Sequence, residues 1–166
     1  MAKMHNSEGL AGLKFLITGA TSGLGFGISI ALAKEGAEII AIGRDKKRLE
    51  DLSDAIEQTS GSAALVCIDL AKRGTIEELS QKVSDKFGKL NGIIHCAMSS
   101  LQMMPISQVS LKEIEMNLLS PITICFRLIS CFHGILCRDS KALFVYVSDV
   151  RMKKFNGPYN SAKKAC

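Results

Sequence analysis

Apolar residues fall along the chain in two alternating rhythms. Nearly continuous apolar runs over residues 13–18, 38–42, 63–68, 90–95 and 142–147 have the length and density of strands buried on both faces. Between them the apolar spacing changes to three and four. Residues 23–35 form one helical stretch and stop at Gly36, while 45–58 carries Leu49, Leu52 and Ile56 on a single face. Ile76, Leu79, Val83 and Phe87 make another stripe before Gly88, introduced by the capping-box pattern Thr75-Ile76-Glu77-Glu78. Ser110-Leu111-Lys112-Glu113 has the same form and predicts a long helix running toward residue 137. Strands and helices in alternation predict an α/β fold whose parallel sheet is covered on both faces. The right-handed crossover rule makes that sheet doubly wound and Rossmann-like, with five strands present.

Composition narrows the class. With 166 residues, 47% of them apolar and 22% charged, the chain has the makings of one folded domain and not of a disordered segment. Its net charge of +5 is spread out, and the compact basic runs are Lys46-Lys47-Arg48, Lys153-Lys154 and Lys163-Lys164. With no Trp and two Tyr there is little surface for stacking bases, so no nucleic-acid partner is expected; a phosphorylated small molecule suits the charge equally well. The most apolar segment, 118–137, is interrupted by Pro121, Arg127 and His133, which predicts a buried helix and no membrane span.

Six cysteines change little. Cys67, Cys96, Cys125, Cys131 and Cys137 lie in apolar stretches and no CxxC pair occurs, the usage of a reduced, cytoplasmic protein in which thiols pack as small hydrophobes. Cys125, Cys131 and Cys137 recur every six residues around His133, but such steps rotate them onto different helix faces, so no metal is assigned. The first fifteen residues contain no apolar core of a signal peptide.

Two motifs carry candidate chemistry. After the first strand comes Thr18-Gly19-Ala20-Thr21-Ser22-Gly23-Leu24-Gly25, where glycines permit either a tight turn alone or close backbone approach to a pyrophosphate at the start of a helix. Near the far end stands Tyr159-Asn160-Ser161-Ala162-Lys163. On a helix, its phenol and ammonium share a face, either as an exposed pair or as a tyrosine whose pKa the cation lowers for proton transfer.

In this order, with a strand and Ser148 between them, the two motifs resemble the short-chain dehydrogenase/reductase family from residue 13 to residue 163. The resemblance implies an NAD(P)-dependent oxidoreductase, 3-oxoacyl reductase-like or related, that interconverts a carbonyl and a secondary alcohol. It implies a cofactor site containing Gly19, Thr21, Ser22, Gly23, Leu24, Gly25, Arg44, Asp69, Leu70, Ala97, Tyr159 and Lys163, with Gly19, Gly23 and Gly25 along the pyrophosphate and Asp69 at the adenine. Asn117 would serve a proton relay, Ser148 would hold the substrate carbonyl, Tyr159 would transfer the proton, and Lys163 would tune it and hold the ribose. Full-length members of the family are usually homo-oligomers. At the end of the second strand, Gly43 stands at the usual acidic position and Arg44 follows, which favours NADP over NAD; Asp45 is the opposing carboxylate unless it caps the next helix.

The chain also departs from the family pattern. His95-Cys96-Ala97-Met98 replaces Asn-Asn-Ala-Gly, so a long Met98 side chain enters the nicotinamide side, and either the backbone moves or that side is partly filled. The interval from Ser148 to Tyr159 is about two residues short of the usual, which bears on the register of Ser148. The family's C-terminal strands are expected to be missing. Residues 1–12 are therefore expected to be an N-terminal extension and 13–166 an incomplete dinucleotide-binding domain, and the alternative function is a truncated, catalytically incompetent nucleotide-binding fragment.

Overall fold

The computed structural model describes residues 9–98, 110–115, 120–136 and 142–147. The elements run β1 (Lys14–Thr18), α1 (Gly23–Lys34), β2 (Glu38–Gly43), α2 (Lys46–Glu57), β3 (Ser62–Cys67), α3 (Thr75–Phe87), β4 (Gly92–His95), α4 (Leu111–Ile114), α5 (Ser120–Phe132) and β5 (Leu143–Tyr146). All five strands are parallel, in the order β3-β2-β1-β4-β5. The chain winds outward from β1 to β3, then crosses back to place β4 on the other side of β1. That reversal opens a crevice at the carboxyl ends of β1 and β4, where open α/β sheets accept ligands.

Alternation along each strand separates two cores. Phe15, Ile17, Ile39, Ala41 and Ile94 pack against Ala33 of α1 and Leu49, Leu52 and Ile56 of α2. Leu16, Ile40, Ile42 and Ile93 face the other way, onto Ile76, Leu79 and Val83 of α3 and Leu128 and Phe132 of α5. Arg127 ties α5 to α3 by donating from Nε and Nη2 to the two Glu77 carboxylate oxygens, at 3.2 and 2.7 Å. Phe132 is wholly buried, so Phe132→Ala should cost about 3–5 kcal/mol in urea unfolding. A loss below about 1 kcal/mol would contradict its place in the core.

Several expectations need correction. The outer strand β3 is not buried on both faces: having one neighbour, it leaves Leu65 and Cys67 exposed. The capping box at Thr75 does not form. Gly74, in the left-handed region at φ 84°, starts α3 instead, and its carbonyl accepts from the Glu78 N–H at 3.0 Å. The predicted helix over 110–137 is described as α4 and α5, with 116–119 outside the described residues. It ends at Phe132, because the chain turns through Gly134 so that Leu136 bridges Leu90. Among the described cysteines, Cys67 is exposed and Cys96, Cys125 and Cys131 are half-buried, with Cys96 and Cys131 at the edges of the two cores. Among the described residues no helix is long and apolar enough to cross a membrane.

Candidate cofactor groove

A groove of about 510 Å³ lies across the carboxyl ends of the central strands. It is floored by the turn that follows β1. Gly19 adopts φ 67°, and a Cβ there would stand 2.7 Å from the backbone nitrogen of Ala97. A Cβ on Gly25 would run into the carbonyl of Gly19. These two glycines let the turn, the start of α1 and the loop after β4 close to backbone contact. Further along α1, Ser29 donates to the Gly25 carbonyl at 2.7 Å and is buried with Ala33, so small residues seat the helix against the sheet.

The amino end of α1 opens on this groove. Ser22 precedes it without a side-chain cap, and the first turn carries no acidic residue. Its positive dipole end and first N–H groups are therefore unopposed, the arrangement that accepts a phosphate. Both this helix end and the close backbone approach at Gly19 and Gly25 suit a pyrophosphate.

Of the residues singled out in the sequence, Gly19, Thr21, Ser22, Leu24, Gly25, Arg44, Asp69, Leu70 and Ala97 line the groove. Gly23 does not. It is the first residue of α1, at φ 54° with nothing within 4 Å of where a Cβ would stand. Asn117, Ser148, Tyr159 and Lys163 lie outside the described residues, although Val147, directly before Ser148, lines the groove and donates its N–H to the His95 carbonyl at 3.0 Å. Ser120, Pro121 and Ile124 of α5 also form part of the wall. The sequence shows them only as part of an apolar helix, with nothing to mark which turn meets the groove.

The two ends of the groove differ in charge. Arg44 is exposed at the end of β2. The adjacent Asp45 is committed to α2: it accepts from the Arg48 N–H at 3.2 Å and pairs with the Arg48 Nε at 3.5 Å. It acts as a helix cap, leaving Arg44 to set the local charge. Lys46 pairs with Glu50 at 3.5 Å, so part of the basic run is spent along its own helix. Across the groove, Asp69 folds a turn by accepting from the Ala71 N–H at 3.0 Å through Oδ1.

At the opposite end, the loop after β4 is fastened to β1. Thr18 is fully buried; its Oγ1 accepts from the Ala97 N–H at 3.2 Å and lies 2.6 Å from His95 Nδ1. One hydrogen bond therefore joins the Thr18 hydroxyl to the imidazole and fixes the ring against β1. Nε2 is buried with no hydrogen-bond partner among the described residues. His95 and Cys96 do not form a thiol–imidazole pair, since Cys96 packs on the α1–α2 side and burial pushes its thiol pKa up. Met98 lines the groove, half-buried, and its sulfur accepts from the Tyr146 hydroxyl at 3.9 Å. The long side chain is thereby held toward β5.

Burial pushes the His95 pKa down to about 4. The unfolded chain takes up that proton below about pH 6.5, whereas the fold resists until about pH 4, so stability is full above pH 6.5 and falls as the pH drops between those values. The loss at the acid end of the window should approach ~3 kcal/mol. Comparing urea midpoints at pH 7 and pH 5 checks this: His95→Asn should flatten the dependence, and an unchanged slope would show that His95 is not its source.

Comparisons with known proteins agree with this architecture. A family model described as short chain dehydrogenase matches residues 14–166. A 3beta-hydroxysteroid dehydrogenase of Mediterraneibacter gnavus is 34% identical over 82 residues, 49% of this chain and 30% of that protein. A fatty acyl-CoA reductase of Acinetobacter baylyi is 34% identical over 95 residues, 57% of this chain and 32% of that protein. The chain thus spans about a third of the length of the curated relatives it matches. Among solved structures, a short chain dehydrogenase of Shigella flexneri 2a complexed with NADP superposes with a TM-score of 0.84 at 22% identity, covering 93% of this chain and 67% of the other.

Proposed function

The chain belongs to the short-chain dehydrogenase family, and from that premise we propose that it acts as an NAD(P)-dependent oxidoreductase interconverting a carbonyl and a secondary alcohol. The observation that carries this is the groove at the sheet's point of reversal, with Gly19 and Gly25 in backbone contact beneath the uncapped start of α1. Residues 13–166 act as the dinucleotide-binding unit, with 1–12 an extension ahead of it. When bound, the nicotinamide supplies or takes up the hydride.

The residues of the chain bind, orient and handle the proton. The turn from Gly19 to Gly25 and the dipole of α1 hold the pyrophosphate. Asp69, whose Oδ1 is engaged in its own turn, would contact the adenine beside Leu70. Arg44 would face the 2′-phosphate of NADP, and Asp45 is engaged as a helix cap; the chain therefore prefers NADP. Ser148 orients the carbonyl oxygen, Tyr159 donates the proton in reduction and accepts it in oxidation, Lys163 lowers the tyrosine pKa, and Asn117 serves the relay that restores the proton. The substrate is a small-molecule ketone or oxoacyl thioester, or the corresponding alcohol.

NADPH oxidation against a panel of ketones and oxoacyl thioesters tests the activity. Turnover with at least one of them is expected, whereas cofactor binding without turnover by the wild type would favour an incompetent nucleotide-binding fragment. Cofactor choice has its own test. Arg44→Glu places a carboxylate where the 2′-phosphate would lie and should weaken NADPH by ~10–100-fold relative to NADH, measured as a ratio of dissociation constants. An unchanged ratio would remove Arg44 from the choice.

A further inference from the structure

Position 43 is closed to side chains, and what closes it is Thr21. A Cβ built on Gly43 would collide with the Thr21 methyl, Cγ2, and would lie 3.3 Å from Leu49 Cδ2. The backbone at 43 cannot retreat, because it is held on two sides. Ile68 donates to the Gly43 carbonyl at 2.8 Å, and Gly43 pairs in register with Cys67 of β3. The preceding residue, Ile42, accepts from the Ala20 N–H at 3.2 Å, which stitches the turn containing Thr21 to the end of β2. Leu49 is 1% exposed and packed in the α1–α2 core, so it has nowhere to go. Only Thr21, half-buried at the groove, can give way.

A site that selects NAD needs a carboxylate at the end of the second strand to accept from the ribose 2′-hydroxyl. Resting on the cofactor reading above, we propose that Thr21 is a specificity-determining residue. Its methyl group fills the space a carboxylate side chain at 43 would need, and so keeps a negative charge from entering at the end of β2 beside Arg44. Preference for NADP is then built from a contact between two elements, the turn after β1 and the end of β2. A single substitution at 43 cannot reverse it.

A double-mutant cycle tests this, with NADPH and NADH dissociation constants measured for the wild type, Gly43→Asp, Thr21→Ser and the double variant. Thr21→Ser removes the colliding methyl and keeps the hydroxyl. Gly43→Asp should shift the NADH:NADPH affinity ratio toward NADH at least ~10-fold further in the Thr21→Ser background than in the wild-type background. Equal shifts in the two backgrounds, or no shift in either, would overturn the proposal while leaving NADPH binding by the wild type intact; a wild type that binds neither cofactor would instead overturn the functional reading and this proposal with it. Should Gly43→Asp fail to fold, Gly43→Ala supplies the same cycle in thermal midpoints. The drop it causes should shrink in the Thr21→Ser background, and identical drops would refute the contact.

Discussion

Replacing Gly19 with valine should abolish measurable NADPH binding and lower the thermal midpoint of the chain. Two costs coincide at this position. A φ of 67° is disfavoured for any residue with a Cβ, by roughly 1–2 kcal/mol and more for a β-branched one. The new Cβ would also press on the nitrogen and Cα of Ala97, at 2.7 and 2.8 Å, and the loop after β4 would have to leave the groove. NADPH affinity should fall by at least ~100-fold. Gly23→Ala is the companion measurement: at φ 54° with nothing within 4 Å, it pays the conformational cost alone and should weaken binding far less. Similar losses in the two variants would mean that the close approach at Gly19 is not what shapes the site.

Tyr159→Phe should lower turnover by ~10²–10⁴-fold, the usual worth of a positioned proton donor. The substitution removes one oxygen and leaves the ring, so the effect should appear in kcat, with NADPH still bound. Steady-state rates with the best ketone of the panel, read beside an NADPH titration, separate the two. Equal turnover by the variant and the wild type would take the proton-transfer role away from Tyr159 and return the Tyr159–Lys163 pair to an exposed helix contact.

The fold was legible where one physical rule dominates. Runs such as Phe15-Leu16-Ile17 and Ile39-Ile40-Ala41 are apolar at every position because β1 and β2 are central and covered on both faces, so density alone located them. The edge strands were less legible. Leu65 and Leu143 read as core residues, yet they are 38% and 48% exposed, because an outer strand has a neighbour on one side only, and strand order is not written in local pattern. The starts of α1 at Gly23 and of α2 after Asp45 were legible, whereas the start of α3 was not. Thr75 and Glu78 fit the capping-box spacing, but Gly74 was free to take the left-handed conformation and began the helix without them. Within the groove, Gly19 and Gly25 were visible in the glycine-rich turn after β1, and Arg44 and Asp69 through the family resemblance at the ends of β2 and β3. Ser120, Pro121 and Ile124 were not, since their position depends on how α5 is laid across the sheet. The burial of His95 against Thr18 was equally hidden, as the two are 77 residues apart in sequence.

The central claim is that a dinucleotide lies across the carboxyl ends of β1, β2 and β4. Backbone amide shifts followed during an NADPH titration of the isotopically labelled chain test it most directly. Saturable shifts at Gly19, Ser22, Gly25, Arg44, Asp69 and Ala97 are predicted, with Lys14, Glu38 and Ser62 at the opposite ends of their strands left in place. Shifts centred on those opposite ends, or none at any cofactor concentration, would contradict the account.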